Sequence, residues 1–237
     1  MFFTALNIIT GTSIYDYFMS IRGYVVLSSH LLYLLEGALL TLKITALSVA
    51  FGMLLGLFFG LFKLSSSRIM RFFAAVYIDF FRGTPLFVQI LLMYFGVLPL
   101  IMDKPSPFEA AVITCSLNSG AYIAEIVRAG IQAVDKGQME AARSLGMNYP
   151  QAMLLVILPQ AYKIVIPPLI NEFIMLLKDT SLVSAIAAEE LTQRGRLVYS
   201  TYYEAVWVWG GVALIYLVMT KILSVLGDYA ERRLATE

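Results

Sequence analysis

One histidine, His30, and one cysteine, Cys115, are all that 237 residues provide of the side chains most used in metal ligation and thiol chemistry. A single cysteine cannot form an internal disulfide. Cys115 lies in an apolar stretch and reads as a small buried residue. No dyad or metal cluster can be assembled, so the sequence offers no catalytic or metal-binding constellation. Nowhere does Gly-x4-Gly-Lys-Ser/Thr occur, so the chain has no phosphate-binding loop of its own. Charge is scarce too: 14% of residues are charged and the net charge is +1, which excludes a basic nucleic-acid-binding protein. Met1 to Gly11 carry no Lys or Arg, so the charged start of a cleavable signal peptide is missing.

What is present is apolar sequence. Hydrophobic residues make up 59% of the chain, and mean hydropathy is +0.79. A soluble domain of this size could not hide so much apolar surface. The expected fold class is an all-α membrane protein of about five transmembrane helices. Residues 1–31, with Asp16 and Arg22, form a mixed lead-in, either interfacial helix or loosely ordered. Residues 32–237 form one transmembrane domain.

The clearest span is Ile44–Phe62, nineteen residues without charge, continued back to about Leu32. Gly52, Gly56 and Gly60 share one of its faces. They either admit a neighbouring helix closely or reflect the ordinary glycine content of membrane helices. Further spans are expected at about Phe72–Leu98, Pro107–Ile131, Ala152–Leu177 and Ala205–Val225. Lys63, Arg68 and Arg71 mark the first connection as cytoplasmic. That places the N-terminus outside, the C-terminus inside and the connection of residues 134–151 on the cytoplasmic side.

This connection is the most informative segment. Lys136 to Leu145 are good helix formers. Gly146 can end that helix in the left-handed conformation, and Pro150 suits the first turn of the next. Two short helices at an angle are expected outside the membrane, more than a bare linker requires.

The sequence Glu140-Ala141-Ala142-Arg143-Ser144-Leu145-Gly146, then nine residues, then Val156-Ile157-Leu158-Pro159 resembles the coupling loop of ABC importer permeases. Val156 stands where Ile is usual. Three further segments are similar to polar amino-acid permeases within that family: Phe81 to Gln89, Asn118 to Arg128 and Leu177 to Leu182. The resemblance covers roughly residues 30 to 230. It implies a coupling-helix loop between helices 3 and 4, with Glu140, Ala141, Ala142 and Gly146 shaping a docking element for a separate ATP-binding subunit. It also implies partners: a cytoplasmic ATPase dimer holding ATP–Mg, a second permease chain, identical or paralogous, and an extracytoplasmic solute-binding protein. No cofactor is expected in this chain itself. The location implied is the bacterial inner membrane.

Charges at membrane depth cost roughly 2.5–3.5 kcal/mol each on insertion scales, so they are paired or functional. Asp79 with Arg82 and Glu125 with Arg128 are each three residues apart, one helical turn; the first reads as a structural pair and the second as a structural pair or gate. Glu172 follows Pro167-Pro168, where missing donors can leave the helix irregular. A zwitterionic amino acid needs an anion for its ammonium, from Glu172 or Asp179. It needs donors for its carboxylate, from Lys178, a helix terminus or the Gly83–Thr84 backbone. Asn171 and Gln89 complete the candidate substrate site of Glu172, Asp179, Lys178, Asn171, Thr84 and Gln89. Lys178 and Asp179 also admit an interfacial snorkelling role. The alternative function is a proton-coupled secondary amino-acid transporter. Short length, an odd span count and no visible inverted repeat oppose it.

Overall fold

A computed structural model describes residues 21–236, all of whose regular elements are helical. The first described helix, α1 (Ile21–Leu64), is already helical at Ile21, ahead of the expected start near Leu32. The rest of the expected lead-in lies outside the described residues. At helical rise its 44 residues extend about 66 Å, enough to cross a hydrocarbon core of about 30 Å and project beyond it. Among the described residues, four helical segments are long and apolar enough to cross a membrane, and one bent pair brings the total to as many as five.

That bent pair is the second span. Helix α2 (Arg68–Gly83) and helix α3 (Leu86–Leu92) meet at 104°. Thr84 and Pro85 between them are extended, because the residue before proline is pushed out of the helical region. Met93–Val97 and Leu98–Leu100 extend α3 as a wide and then a tight turn. Helix α4 (Pro107–Ala133) opens with a reciprocal cap: the Ser106 hydroxyl accepts from the Glu109 amide, and the Glu109 carboxylate accepts from the Ser106 amide.

Helices α5 (Lys136–Ser144) and α6 (Tyr149–Ala152) are the short pair expected from sequence. Gly146 at φ +87° turns the chain between them. Asn148 and Gln151 form the reciprocal cap that starts α6. A wide turn at Met153–Ile157 leads into α7 (Leu158–Asp179), then a tight helix at Thr180–Ile186. The irregularity expected at Pro167-Pro168 sits instead in this wide turn before Pro159; α7 runs unbroken through the proline pair. Helix α8 (Leu191–Tyr202) and helix α9 (Ala205–Thr236) complete the chain.

The core is built on α1 against α4. A Cβ on Gly56 would lie 2.4 Å from Ile123 Cγ2, and one on Gly60 would lie 2.9 Å from the Ala124 carbonyl. The glycine face therefore exists for close approach. Around it Ile44, Val49, Ala111, Cys115, Ile123 and Leu176 are buried. A second core joins α1, α8 and α9 through Leu34, Leu191, Val208 and Val212. Much of the remaining apolar surface is exposed, including Phe51, Leu54, Phe72, Phe73, Leu214 and Leu217. That is the surface a bilayer covers.

Candidate functional site

The corner between α2 and α3 is held by side-chain amides. Gln89 is 2% exposed. Its Nε2 donates to the carbonyl oxygens of Phe81 at 2.8 Å and Thr84 at 3.0 Å, and to Thr84 Oγ1 at 2.8 Å. Asn118 on α4 donates to Gln89 Oε1 at 2.9 Å and to the Phe81 carbonyl at 3.2 Å. These bonds satisfy carbonyls that the end of α2 would leave orphaned in an apolar setting.

Beside the corner lies a cavity of about 460 Å³, lined by Arg82, Gly83, Thr84, Pro85, Leu86, Asn118, Tyr122, Glu172, Met175, Leu176, Asp179 and Leu182. Its size suits a small organic ligand. Glu172 is only 8% exposed. It makes no ion pair among the described residues, and beside it stands the Ser119 hydroxyl, buried and outside hydrogen-bond geometry. Asp179 is exposed at the end of α7.

Of the six candidate residues, Thr84, Glu172 and Asp179 meet in this cavity. Gln89 stands behind its wall, engaged in the corner. Asn171 and Lys178 are exposed and do not line it. Sequence reading missed Asn118, Tyr122 and the contribution of Arg82. The expected Asp79–Arg82 pair does not form: Asp79 is exposed, and the Arg82 guanidinium lies over the Tyr122 ring, 5.3 Å from its centroid. Backbone direction decides this, because Arg82 sits on the last turn of α2, where the chain bends toward α4.

Arg82 and Tyr122 also line a second cavity of about 330 Å³ with Glu125, Ile126, Ala129, Gly130, Ala133, Ile164 and Pro168. It follows α4 and α7 toward α5. There the expected Glu125–Arg128 pair does form, with Arg128 Nε donating to Glu125 Oε2 at 3.0 Å.

At that end the α5–α6 loop stands proud of the bundle. Glu140, Ala141 and Gly146 are exposed, and Ala142 is buried as the anchor of α5. Leu145 is 82% exposed on this loop, and Tyr149, at the start of α6, is exposed as well. Apolar side chains grouped on a protruding loop mark a contact surface.

At the opposite end, Glu190 is fully buried as the cap of α8. Its carboxylate accepts from the amides of Thr192 at 2.9 Å and Gln193 at 2.8 Å, and from the Tyr216 hydroxyl of α9 at 2.9 Å. Thr41 of α1 approaches it at 3.4 Å and accepts from the Leu191 amide at 3.2 Å. Burial pushes the Glu190 carboxyl above its ordinary range, against the opposing pull of these donors. Nearby, Arg194 donates to Glu36 at 2.7 Å and to the Tyr33 carbonyl at 2.8 Å. Together they bind α8 to α1 and α9.

Comparison with known proteins agrees with this architecture. Residues 52–236 match the family described as binding-protein-dependent transport system inner membrane component. The arginine transport system permease protein ArtQ of Bacillus subtilis (strain 168) is 41% identical over 206 residues, covering 85% of this chain and 92% of that one. The glutamine transport system permease protein GlnP of Escherichia coli (strain K12) is 40% identical, covering 85% and 92%. A crystal structure of an amino acid ABC transporter with histidines superposes with a TM-score of 0.84 at 44% identity, covering 88% and 97%. An inward-facing MetNI methionine ABC transporter, at 22% identity and a TM-score of 0.74, shares the fold. With a bent second span, a protruding two-helix loop and these likenesses over most of its length, the chain belongs to the family of inner membrane components of binding-protein-dependent transport systems.

Proposed function

We propose that this permease carries a polar amino acid inward across the bacterial inner membrane by alternating access, driven by a separate ATPase. One observation carries the reading. A single helix, α7, bears two carboxylates of the 460 Å³ cavity, Glu172 and Asp179, and is continuous at its other end with the protruding α5–α6 loop. The names of its relatives, arginine and glutamine permeases among them, support the substrate class.

The N-terminus faces outside and the C-terminus the cytoplasm, supported by Lys63, Arg68 and Arg71 around the α1–α2 connection. The α5–α6 loop then lies in the cytoplasm, where Glu140, Ala141, Ala142 and Gly146 present it to an ATP-binding subunit dimer. ATP–Mg binds there, on the partner. A second permease chain and an extracytoplasmic solute-binding protein complete the system. Substrate enters the cavity beside Thr84, is held by carboxylates and Arg82, and passes the Arg82–Tyr122 partition into the second cavity as the bundle switches.

The test is reconstitution with an ATPase subunit and binding protein in liposomes. Amino-acid uptake requiring ATP is expected. Uptake driven by a proton gradient without ATP would overturn the reading in favour of secondary transport.

A further inference from the structure

The 460 Å³ and 330 Å³ cavities take one side of α7, through Glu172, Asp179, Ile164 and Pro168. At 3.6 residues per turn, Ile166, Ile170 and Ile174 fall on the opposite side. There they line a third cavity, a groove of about 450 Å³ between α7, α1 and α9, with Ala46, Ala50, Gly227 and Ala230 in its other walls. Every described residue lining it is apolar.

The two sides of α7 call for different neighbours. Arg82 and Glu125 line the cavities of the first side, and charges at membrane depth require protein or water beside them. A second permease chain belongs there. The groove has walls that hydrocarbon solvates fully, on three helices long and apolar enough to cross the bilayer.

Charge marks one end of the groove. Lys163 stands three residues before Ile166, and Arg233 three after Ala230, so each lies one turn beyond the lining on the same helix face. The two helices meet where a Cβ on Gly227 would lie 2.5 Å from Ile170 Cγ2. From that crossing Lys163 is about 10 Å back along α7 and Arg233 about 9 Å onward along α9. The helices run in opposite directions, so both cations reach the same depth. Both are exposed, and Lys163 makes no ion pair among the described residues, Asp228 and Glu231 of α9 included. Tyr162 and Tyr229 are exposed close by in sequence, rings of the kind that settle at headgroup level.

We infer that this groove holds an anionic phospholipid of the inner leaflet. An acyl chain lies along it, and the phosphate sits between Lys163 and Arg233. From Ile166 to Ile174 the lining of α7 extends about 12 Å from the headgroup level toward the bilayer centre, the course an acyl chain takes. The choice of leaflet rests on the orientation proposed above; the site does not depend on what the permease carries.

The test uses the full-length permease with its ATPase subunit in vesicles of phosphatidylcholine and phosphatidylglycerol. One lipid at a time carries a photoreactive acyl chain, and the labelled segments are mapped by mass spectrometry. Phosphatidylglycerol is expected to label the α7 and α9 segments of the groove, and phosphatidylcholine to label them weakly. Lys163→Gln and Arg233→Gln should each cut that labelling roughly fivefold, the scale of one cation near an anionic surface. Arg68→Gln, a cation outside the groove on the same side of the membrane, should leave it unchanged. Ala50→Phe, which fills the groove and spares both cations, should abolish it. Lys163 and Arg233 are exposed, so their variants keep the fold even where Ala50→Phe does not. Equal labelling by the two lipids, or an equal loss in Arg68→Gln, overturns the inference, because the bilayer then touches the groove without a site. So does a disulfide joining two permease chains through Ala50→Cys, which would seat a second copy there. Labelling is read without transport, so a failure of ATP-driven uptake overturns the proposed function alone.

Discussion

The guanidinium of Arg82 lies over the ring of Tyr122, and these two side chains line both the 460 Å³ cavity and the 330 Å³ cavity. One contact between α2 and α4 thus separates a chamber containing Glu172 and Asp179 from one containing Glu125. Arg82→Ala is expected to cut amino-acid-stimulated transport by roughly ten- to a hundredfold, the range of a lost hydrogen bond to a charged group. Tyr122→Ala, which keeps the cation and removes the ring, should raise ATP hydrolysis per substrate moved. Measured coupling ratios equal to those of the unmodified protein would exclude a partition at this point.

The α5–α6 loop should bind through both its helix surface and its exposed leucine. Glu140→Lys and Leu145→Ser are each expected to abolish or strongly weaken copurification with the ATPase subunit. Circular dichroism and thermal stability of the permease in detergent should stay unchanged, since both residues are exposed. Full retention of the ATPase by both variants would place docking elsewhere.

The close approach of α1 and α4 leaves no room for a side chain at Gly56. Gly56→Leu should destabilise the folded permease by about 1–3 kcal/mol or more, because the facing atoms belong to Ile123 and to the backbone at Ala124. Gly210, whose Cβ would meet nothing within 4 Å, is the control. Gly210→Ala should leave the melting temperature nearly unmoved. Equal losses at both positions would count against the packing argument.

Glu190 gives a pH dependence whose sign follows from its surroundings. Burial holds its folded carboxyl above the ordinary value of 4.5, so the folded protein binds this proton more tightly than the unfolded chain. The contribution is fully present below about 4.5 and is lost as pH rises through the elevated folded value. In Glu190→Gln that titration is gone. Melting temperatures from pH 4 to pH 8 should therefore show a slope in the unmodified protein that is reduced in the variant. Identical slopes would show that Glu190 does not titrate in this window.

The elements of this fold are largely legible in the sequence, since hydropathy marks spans and Gly146, Asn148 and Pro150 punctuate the loop. The break in the second span could be anticipated from Thr84-Pro85. Its 104° bend could not, because tertiary packing against α4 sets the angle. The same limit explains Arg82. Helical spacing paired it with Asp79, but the end of a helix lets a long side chain choose its neighbour, and that neighbour is forty residues on. Gln89 reads as a ligand because it lies one helical face along from Thr84-Pro85; the orphaned carbonyls it serves are visible only once the corner exists. Glu190 escaped notice since its partners come from α1, α8 and α9, and glutamate is not a favoured cap. Glu172 stands out in the sequence because a carboxylate within a long apolar segment is costly, and the structure buries it against the cavity.

Helix α7 has a mechanical consequence. From Leu158 to Asp179 it is one unbroken rod about 33 Å long, with its first turn joined to the protruding loop and its last third carrying Glu172 and Asp179. If the ATPase grips that loop, force reaches the cargo through a single lever rather than a relay of side chains. The wide turn at Met153–Ile157 is then its fulcrum, the joint where a rotation of the loop would tilt the rod. Stiffening or relaxing that joint should change how far the substrate carboxylates travel for each stroke.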